Sequence, residues 1–136
     1  MMNAILQFKS YDVLEQIYVK NEEFVTDEIK NLSFETKFSI QKEDSEALIY
    51  LSISSGDLDP NQSNYFLRVK IKGEFTFELD SETDDDKLIE SLVKGNGLAI
   101  LFPYIRSLIS DLTSKGKENP LIIPTMNIAE FLNEEQ

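Results

Sequence analysis

Apolar and polar residues alternate along several segments of the chain, which is the pattern of strands that bury one face. The clearest alternation covers residues 65–79, and shorter ones cover residues 32–41 and 47–53. Residues 5–20 are noisier but end in strand-favouring side chains, so they predict a first strand. Short polar turns separate the later segments, and short connections favour antiparallel neighbours. The pattern therefore predicts a four-stranded antiparallel sheet, with a bulge or bend at Gly73 in the longest strand.

After residue 79 the apolar spacing changes from two to three and four, which predicts helices. A first helix carries the apolar residues Leu88, Ile89, Leu92 and Val93. A glycine-rich triplet at 95–97 loosens or interrupts the chain, and a second helix covers 98–115 with Gly116 as its C-cap. Pro103 lies inside this helix, where it predicts a kink or the true helix start. A last short helix is expected after Asn127, which suits an N-cap.

The first half of the second helix is apolar on nearly all of its sides, although a helix that packs on one sheet needs only one apolar face. The surplus surface predicts self-association through this helix, as a homodimer or homotetramer. Alternatively, loops of the same chain could cover this apolar surface. The predicted oligomer interface consists of Leu98, Ile100, Leu101, Phe102, Tyr104, Ile105 and Leu108.

The 136 residues fit a single domain, residues 1–136, and a content of 41% hydrophobic and 28% charged residues is typical of a folded protein. The formal net charge of -12 at pH 7 argues against nucleic acid or an anionic membrane surface as a partner. We find no secretory signal and no apolar run near the roughly 20 residues of a membrane span. We therefore expect no membrane insertion and a cytoplasmic location.

The candidate chemistry is narrow because the sequence contains neither Cys nor His. This removes disulfides, thiolate nucleophiles and Cys/His zinc sites. The acidic run at residues 81–86 lacks the ligand pattern and Gly of a calcium loop, and no Gly-rich phosphate loop is present. Carboxylate-only mechanisms such as glycoside hydrolysis stay chemically available, but no pair of acids is singled out. The sequence therefore predicts a binding protein that is not an enzyme and uses no metal or cofactor.

Three linked motifs in the last part of the chain resemble the SecB family of preprotein chaperones. They are a helix start, Ile100-Leu101-Phe102-Pro103-Tyr104-Ile105-Arg106, a stop, Ser114-Lys115-Gly116, and a connector, Leu121-Ile122-Ile123-Pro124-Thr125-Met126-Asn127-Ile128. Their order and spacing agree with the family over about residues 96–132. Residues 65–67, with Gly73 before Phe75, also fit the fourth strand of the family.

The resemblance implies an α+β fold in which a four-stranded antiparallel sheet has helices packed on one face. It also implies dimers that pair into tetramers, with the long helix at the subunit interfaces. In the family, the connector and the last helix line a peptide-binding groove. Carried over to this chain, the predicted groove residues are Leu121, Ile122, Ile123, Met126, Ile128, Phe131 and Leu132.

The function that follows from the resemblance is that of an ATP-independent holdase, which covers apolar segments of unfolded polypeptides, with protein export as one context. The alternative is a dedicated adaptor on the same fold that binds one protein partner, such as an antitoxin or an assembly factor. Docking to the SecA motor is expected to be weak or absent. Val69 stands where the family has a Glu in its fourth strand, and little chain follows the last predicted helix.

Overall fold

Four strands form one antiparallel sheet, as the sequence predicts. They are β1 (Ala4–Lys20), β2 (Leu32–Gln41), β3 (Glu46–Gly56) and β4 (Tyr65–Leu79). Their order across the sheet is β1-β4-β3-β2, so that β1 and β2 are the two edge strands. The structure is a computed structural model that describes residues 4–21, 32–59, 62–63, 65–79 and 86–115.

One face of the sheet, called here the inner face, forms the core of the molecule. The alternating apolar residues of the two central strands point to this face and are almost fully buried, as are the sheet-facing apolar residues of the helix above them. The buried strand residues are Ala47, Ile49, Leu51 and Ile53 of β3 and Leu67, Val69, Ile71, Phe75 and Phe77 of β4.

A short 3-10 turn at Lys42–Asp44 joins β2 to β3, and Ser45 closes it in the left-handed conformation.

β1 contains two bulges, which explain why its sequence pattern is noisy. The register with β4 shifts between Phe8 and Ser10 and again between Val13 and Glu15. Each shift switches the parity of the residues that face the core, because successive strand residues point to opposite faces. Of the bulge or bend expected at Gly73, the bulge is wrong, because β4 pairs with both neighbouring strands without interruption at this residue. The irregularities lie in the neighbouring strand instead.

Among the described residues, one helical segment follows the sheet. It consists of α1 (Asp86–Leu92), a π-helical turn (Val93–Gly97) and α2 (Leu98–Thr113). Of the two alternatives for the glycine-rich triplet, interruption is wrong and loosening is confirmed, because a wider π-helical turn carries the chain from α1 into α2. Pro103 lies within α2, which begins five residues earlier at Leu98, so it does not mark the helix start.

Two glycines allow the helix to approach the sheet closely. A Cβ atom on Gly73 of β4 would lie 2.6 Å from Cδ2 of Leu101, and one on Gly97 would lie 2.2 Å from Cδ1 of Ile49. Both distances are far below van der Waals contact. The glycine in the middle of the longest strand is therefore explained by helix packing.

The helix buries four of the seven predicted interface residues within its own chain. Leu98, Leu101 and Phe102 are at most 4% exposed, and Ile105 is fully buried. These four residues therefore belong to the core. The expectation that a single sheet would leave them exposed is wrong. Of the predicted interface, only Ile100, Tyr104 and Leu108 keep accessible surface, and Tyr104 is 37% exposed.

By length and composition alone, the helical segment Asp86–Thr113 could cross a membrane. It contains no continuous apolar run of membrane-spanning length, which is why the sequence pattern predicts no span. Its buried side is packed against β3 and β4, as expected for the core helix of a sheet-and-helix domain. Packing on the sheet accounts for the apolar residues of its buried side.

Candidate functional site

A groove of about 520 Å³ runs between the edge strand β2 and helix α1. We call it the β2 groove. Its apolar floor is formed by Phe38 and Ile40 from the inner face of β2 and by Ile89 from α1. Phe38 and Ile40 are half-buried, whereas the inner-face residues of β3 beside them are fully buried. The helix therefore leaves part of this side of the sheet open.

Charged side chains surround the apolar floor. Lys42, just after β2, forms a salt bridge of 2.8 Å with Asp86 at the start of α1, which joins the strand to the helix at one end of the groove. Lys94 lies 5.4 Å from the ring centroid of Phe38 and 2.5 Å from Oε1 of Glu90. The ammonium group thus covers one side of the Phe38 ring while it stays paired with a carboxylate.

The backbone of β2 adds a second binding element. β2 pairs with β3 along one side, and no described strand pairs with its other side. An edge strand presents alternate N–H and C=O groups that an added strand can satisfy. An extended polypeptide beside β2 could form these hydrogen bonds and place alternate side chains over the apolar floor. Such recognition depends on the backbone and on apolar burial, and it requires little sequence specificity.

The arrangement of the β2 groove is suited to binding. Within the described ranges, no cluster of three or more His, Cys, Asp or Glu residues could hold a metal ion. The acids around the β2 groove, Asp86 and Glu90, are each paired with a lysine.

The predicted groove residues of the connector and the last helix lie outside the described residues. They are Leu121, Ile122, Ile123, Met126, Ile128, Phe131 and Leu132. The structure does describe the β2 groove, which the sequence analysis missed. The alternation over residues 32–41 predicts that Phe38 and Ile40 lie on the buried face of a strand, and the helical spacing predicts that Ile89 lies on the apolar side of a helix. Only the order of the strands makes β2 an edge, and that order arises from contacts between residues distant in sequence.

Comparison with known proteins identifies relatives of the chain. The chain is 32% identical over 128 residues to the uncharacterized protein MJ0357 of Methanocaldococcus jannaschii. The aligned residues cover 91% of this chain and 80% of that protein. No protein-family model matches the chain.

Two solved structures share the fold. The Mycobacterium tuberculosis SecB-like chaperone Rv1957, solved in complex with a peptide from the antitoxin HigA1, matches with a TM-score of 0.70 and 17% identity, over 89% of this chain and 87% of that one. A protein of unknown function from Streptococcus agalactiae matches with a TM-score of 0.52 and 12% identity, over 92% and 99% of the two chains. The resemblance drawn from the sequence motifs is thereby confirmed at the level of the fold. The chain belongs to the same family as the Methanocaldococcus jannaschii protein MJ0357, and its fold is SecB-like.

Proposed function

We propose that this protein is an ATP-independent holdase, which binds apolar segments of non-native polypeptides and delays their folding or aggregation. The observation that carries the proposal is the β2 groove, in which an apolar floor lies beside an edge strand with a free side among the described strands. The SecB-like neighbour was solved with a bound peptide, which supports polypeptide as the class of ligand.

The physical basis is the burial of client side chains. Burial of apolar surface contributes roughly 25 cal/mol per Å², and ordering of the client opposes it. A bound segment of several residues would therefore reach about micromolar affinity. Release needs no nucleotide, because weak binding allows the client to dissociate and refold.

An aggregation assay tests the proposal. The double variant Phe38→Ser, Ile40→Ser should suppress the aggregation of unfolded model proteins less well than the wild type, by about half or more, because the apolar floor is lost. Leu58→Ser is the matched control, since Leu58 is 65% exposed in the loop after β3 and lies outside the groove. Circular dichroism confirms that the variants are folded. Equal suppression by a folded double variant and the control would exclude the β2 groove as the client site.

The connector and the last helix stay part of the proposal. If they line the same client site, Ile122→Ser together with Phe131→Ser should weaken aggregation suppression while the melting temperature changes little. If the variant unfolds, and suppression falls only in proportion to the folded protein that is lost, these residues belong to the core.

A dedicated adaptor is the second candidate, favoured by the single antitoxin peptide that the SecB-like neighbour binds. The two candidates differ in client breadth. A holdase should suppress the aggregation of several unrelated unfolded proteins, and an adaptor should protect only one. A pull-down of the native protein from its own cell extract would recover many nascent chains in the first case and one stoichiometric partner in the second.

A further inference from the structure

The face of the sheet opposite the helices, called here the outer face, carries a second hollow of about 520 Å³. Tyr50 and Ser52 of β3 form its floor. Glu35 and Lys37 of β2 lie on one side, and Arg68 and Lys70 of β4, with Glu15 of β1, lie on the other. The strand register fixes this arrangement, because Tyr50 pairs with Lys37 and Ser52 pairs with Lys70. The floor is polar, so the hollow differs in chemistry from the β2 groove.

The positive charges of this hollow are only partly neutralised. Arg68 donates a hydrogen bond from Nε to Oε1 of Glu15 on β1, so its charge is compensated. Lys37 and Lys70 have no salt bridge with any residue in the described part of the chain. The two ammonium groups lie on either side of β3 and are exposed to solvent.

We propose that the outer face docks an acidic segment of a partner protein, with carboxylates on Lys37 and Lys70 and hydroxyl contacts from Tyr50 and Ser52. Charge complementarity supports this occupant. Three cations and two carboxylates line the hollow, and Lys37 and Lys70 stand beside donor hydroxyls without a salt bridge to a described residue, on an otherwise strongly acidic protein. A short acidic segment brings only a few charges near the surface. Nucleic acid carries a charge at every phosphate, and the net charge of -12 would repel it.

The floors of the outer-face site and of the client groove lie on opposite faces of the sheet, although Lys37 of the edge strand β2 lines both hollows. A partner could therefore dock while a client is bound. The protein would then present its client to the docked partner. Lys70 lines the outer-face hollow but not the β2 groove, so Lys70→Gln alone distinguishes failure of the docking site from failure of the client groove.

Fluorescence anisotropy with a labelled peptide of alternating Glu and Ser residues tests the docking site, and the same peptide with Gln in place of Glu is the uncharged reference. The wild type should bind the acidic peptide in a salt-sensitive manner and the Gln peptide far more weakly. Lys37→Gln with Lys70→Gln should weaken binding of the acidic peptide by about fivefold or more. Lys37→Arg with Lys70→Arg should retain it.

The control removes two positive charges elsewhere. Lys87→Gln with Lys115→Gln changes the net charge equally but lies on and just after the helical segment, away from the outer face. An equal loss of binding in this control would overturn the proposal in favour of a general charge effect. Absence of wild-type binding at about millimolar peptide would also overturn it. If Lys37→Gln with Lys70→Gln instead dissociates an oligomer in sedimentation equilibrium, the occupant is a second copy of the chain and the proposal is wrong.

Discussion

Glu15 and Arg68 form an ion pair across β1 and β4 on the outer face of the sheet. The hydrogen bond from Arg68 lowers the pKa of Glu15 below its ordinary value of 4.5, and the positive charges of Arg68 and Lys70 act in the same direction. Partial desolvation opposes this shift without cancelling it. The folded state therefore prefers the charged carboxylate.

This shift predicts a pH-dependent contribution to stability. Because the folded-state pKa lies below the unfolded-state value, the contribution is complete above about pH 4.5 and is lost as the pH falls through the folded-state pKa. Glu15→Gln should therefore lower the melting temperature slightly at about pH 7, and the difference from the wild type should shrink near pH 3. The effect is small because the pair is exposed.

Glu46→Gln is the control for this measurement, since Glu46 is exposed and has no salt bridge with a described residue. Thermal unfolding followed by circular dichroism at both pH values gives the comparison. A difference between the wild type and Glu15→Gln that is the same at both values would contradict a role for the charged pair.

Among the secondary-structure elements, the π-helical turn determines how closely the helix approaches the sheet. Gly97 faces Ile49 across the core, whereas a Cβ on Gly95, two residues earlier, would meet nothing within 4 Å. Gly97→Ala should destabilise the protein by about 1–3 kcal/mol, because the added methyl group forces Ile49 or the helix to move. Gly95→Ala should be neutral or stabilising by up to about 1 kcal/mol, because alanine favours the helix.

Urea unfolding of the two glycine variants measures both effects against the wild type. The pair is matched, since each variant adds one methyl group to the same turn. A Gly97→Ala variant as stable as Gly95→Ala would mean that the helix does not lie where the structure places it.

The elements could be predicted from the sequence where their pattern is local. β2, β3, β4 and the start of α2 were predicted because alternation and helical spacing are properties of neighbouring residues. β1 was ambiguous because its two bulges switch the buried parity, and bulges leave no reliable local pattern. The β2 groove was missed for a different reason, since residues such as Phe38 become accessible only when β2 is an edge strand.

For the whole molecule, the remaining candidate interface is a stripe on α2. Ile100, Tyr104 and Leu108 are spaced by four residues and so lie on one side of the helix. The ring of Tyr104 also packs 4.7 Å from that of Tyr11 and 5.3 Å from that of Phe8, which extends the apolar surface onto β1. We expect the protein to self-associate through this surface.

Sedimentation equilibrium at about micromolar protein tests self-association. Ile100→Ser with Leu108→Ser should weaken the oligomer by about tenfold or more, because both side chains would lose apolar burial. Leu58→Ser is again the control, since it removes an exposed leucine from a loop. A wild-type protein that sediments as a monomer would remove the interface prediction.

Weak or absent docking to SecA stays a prediction, but the structure supports it through other residues than Val69. Val69 is fully buried on the inner face, so the residue at this place cannot contact a partner. Its neighbours on β4 that do face solvent are Arg68 and Lys70, which are basic. A surface of this charge does not suit a basic docking partner. Calorimetric titration with SecA should show no binding at about micromolar concentrations, and tight, salt-sensitive binding would contradict the prediction.

The two bulges of β1 also determine where the chain tolerates a change in length. Lys9 and Leu14 have no partner on β4, whereas the residues on either side of each remain paired. Deletion of either residue would restore regular pairing between β1 and β4 locally. Deletion of a residue within β4 would instead move the side chains of half of that strand to the opposite face of the sheet. Alignments of relatives should therefore place single-residue gaps at these two positions of β1 and none in β4. The irregular edge strand is thus the part of the sheet in which evolution can add or remove a residue without rebuilding the core.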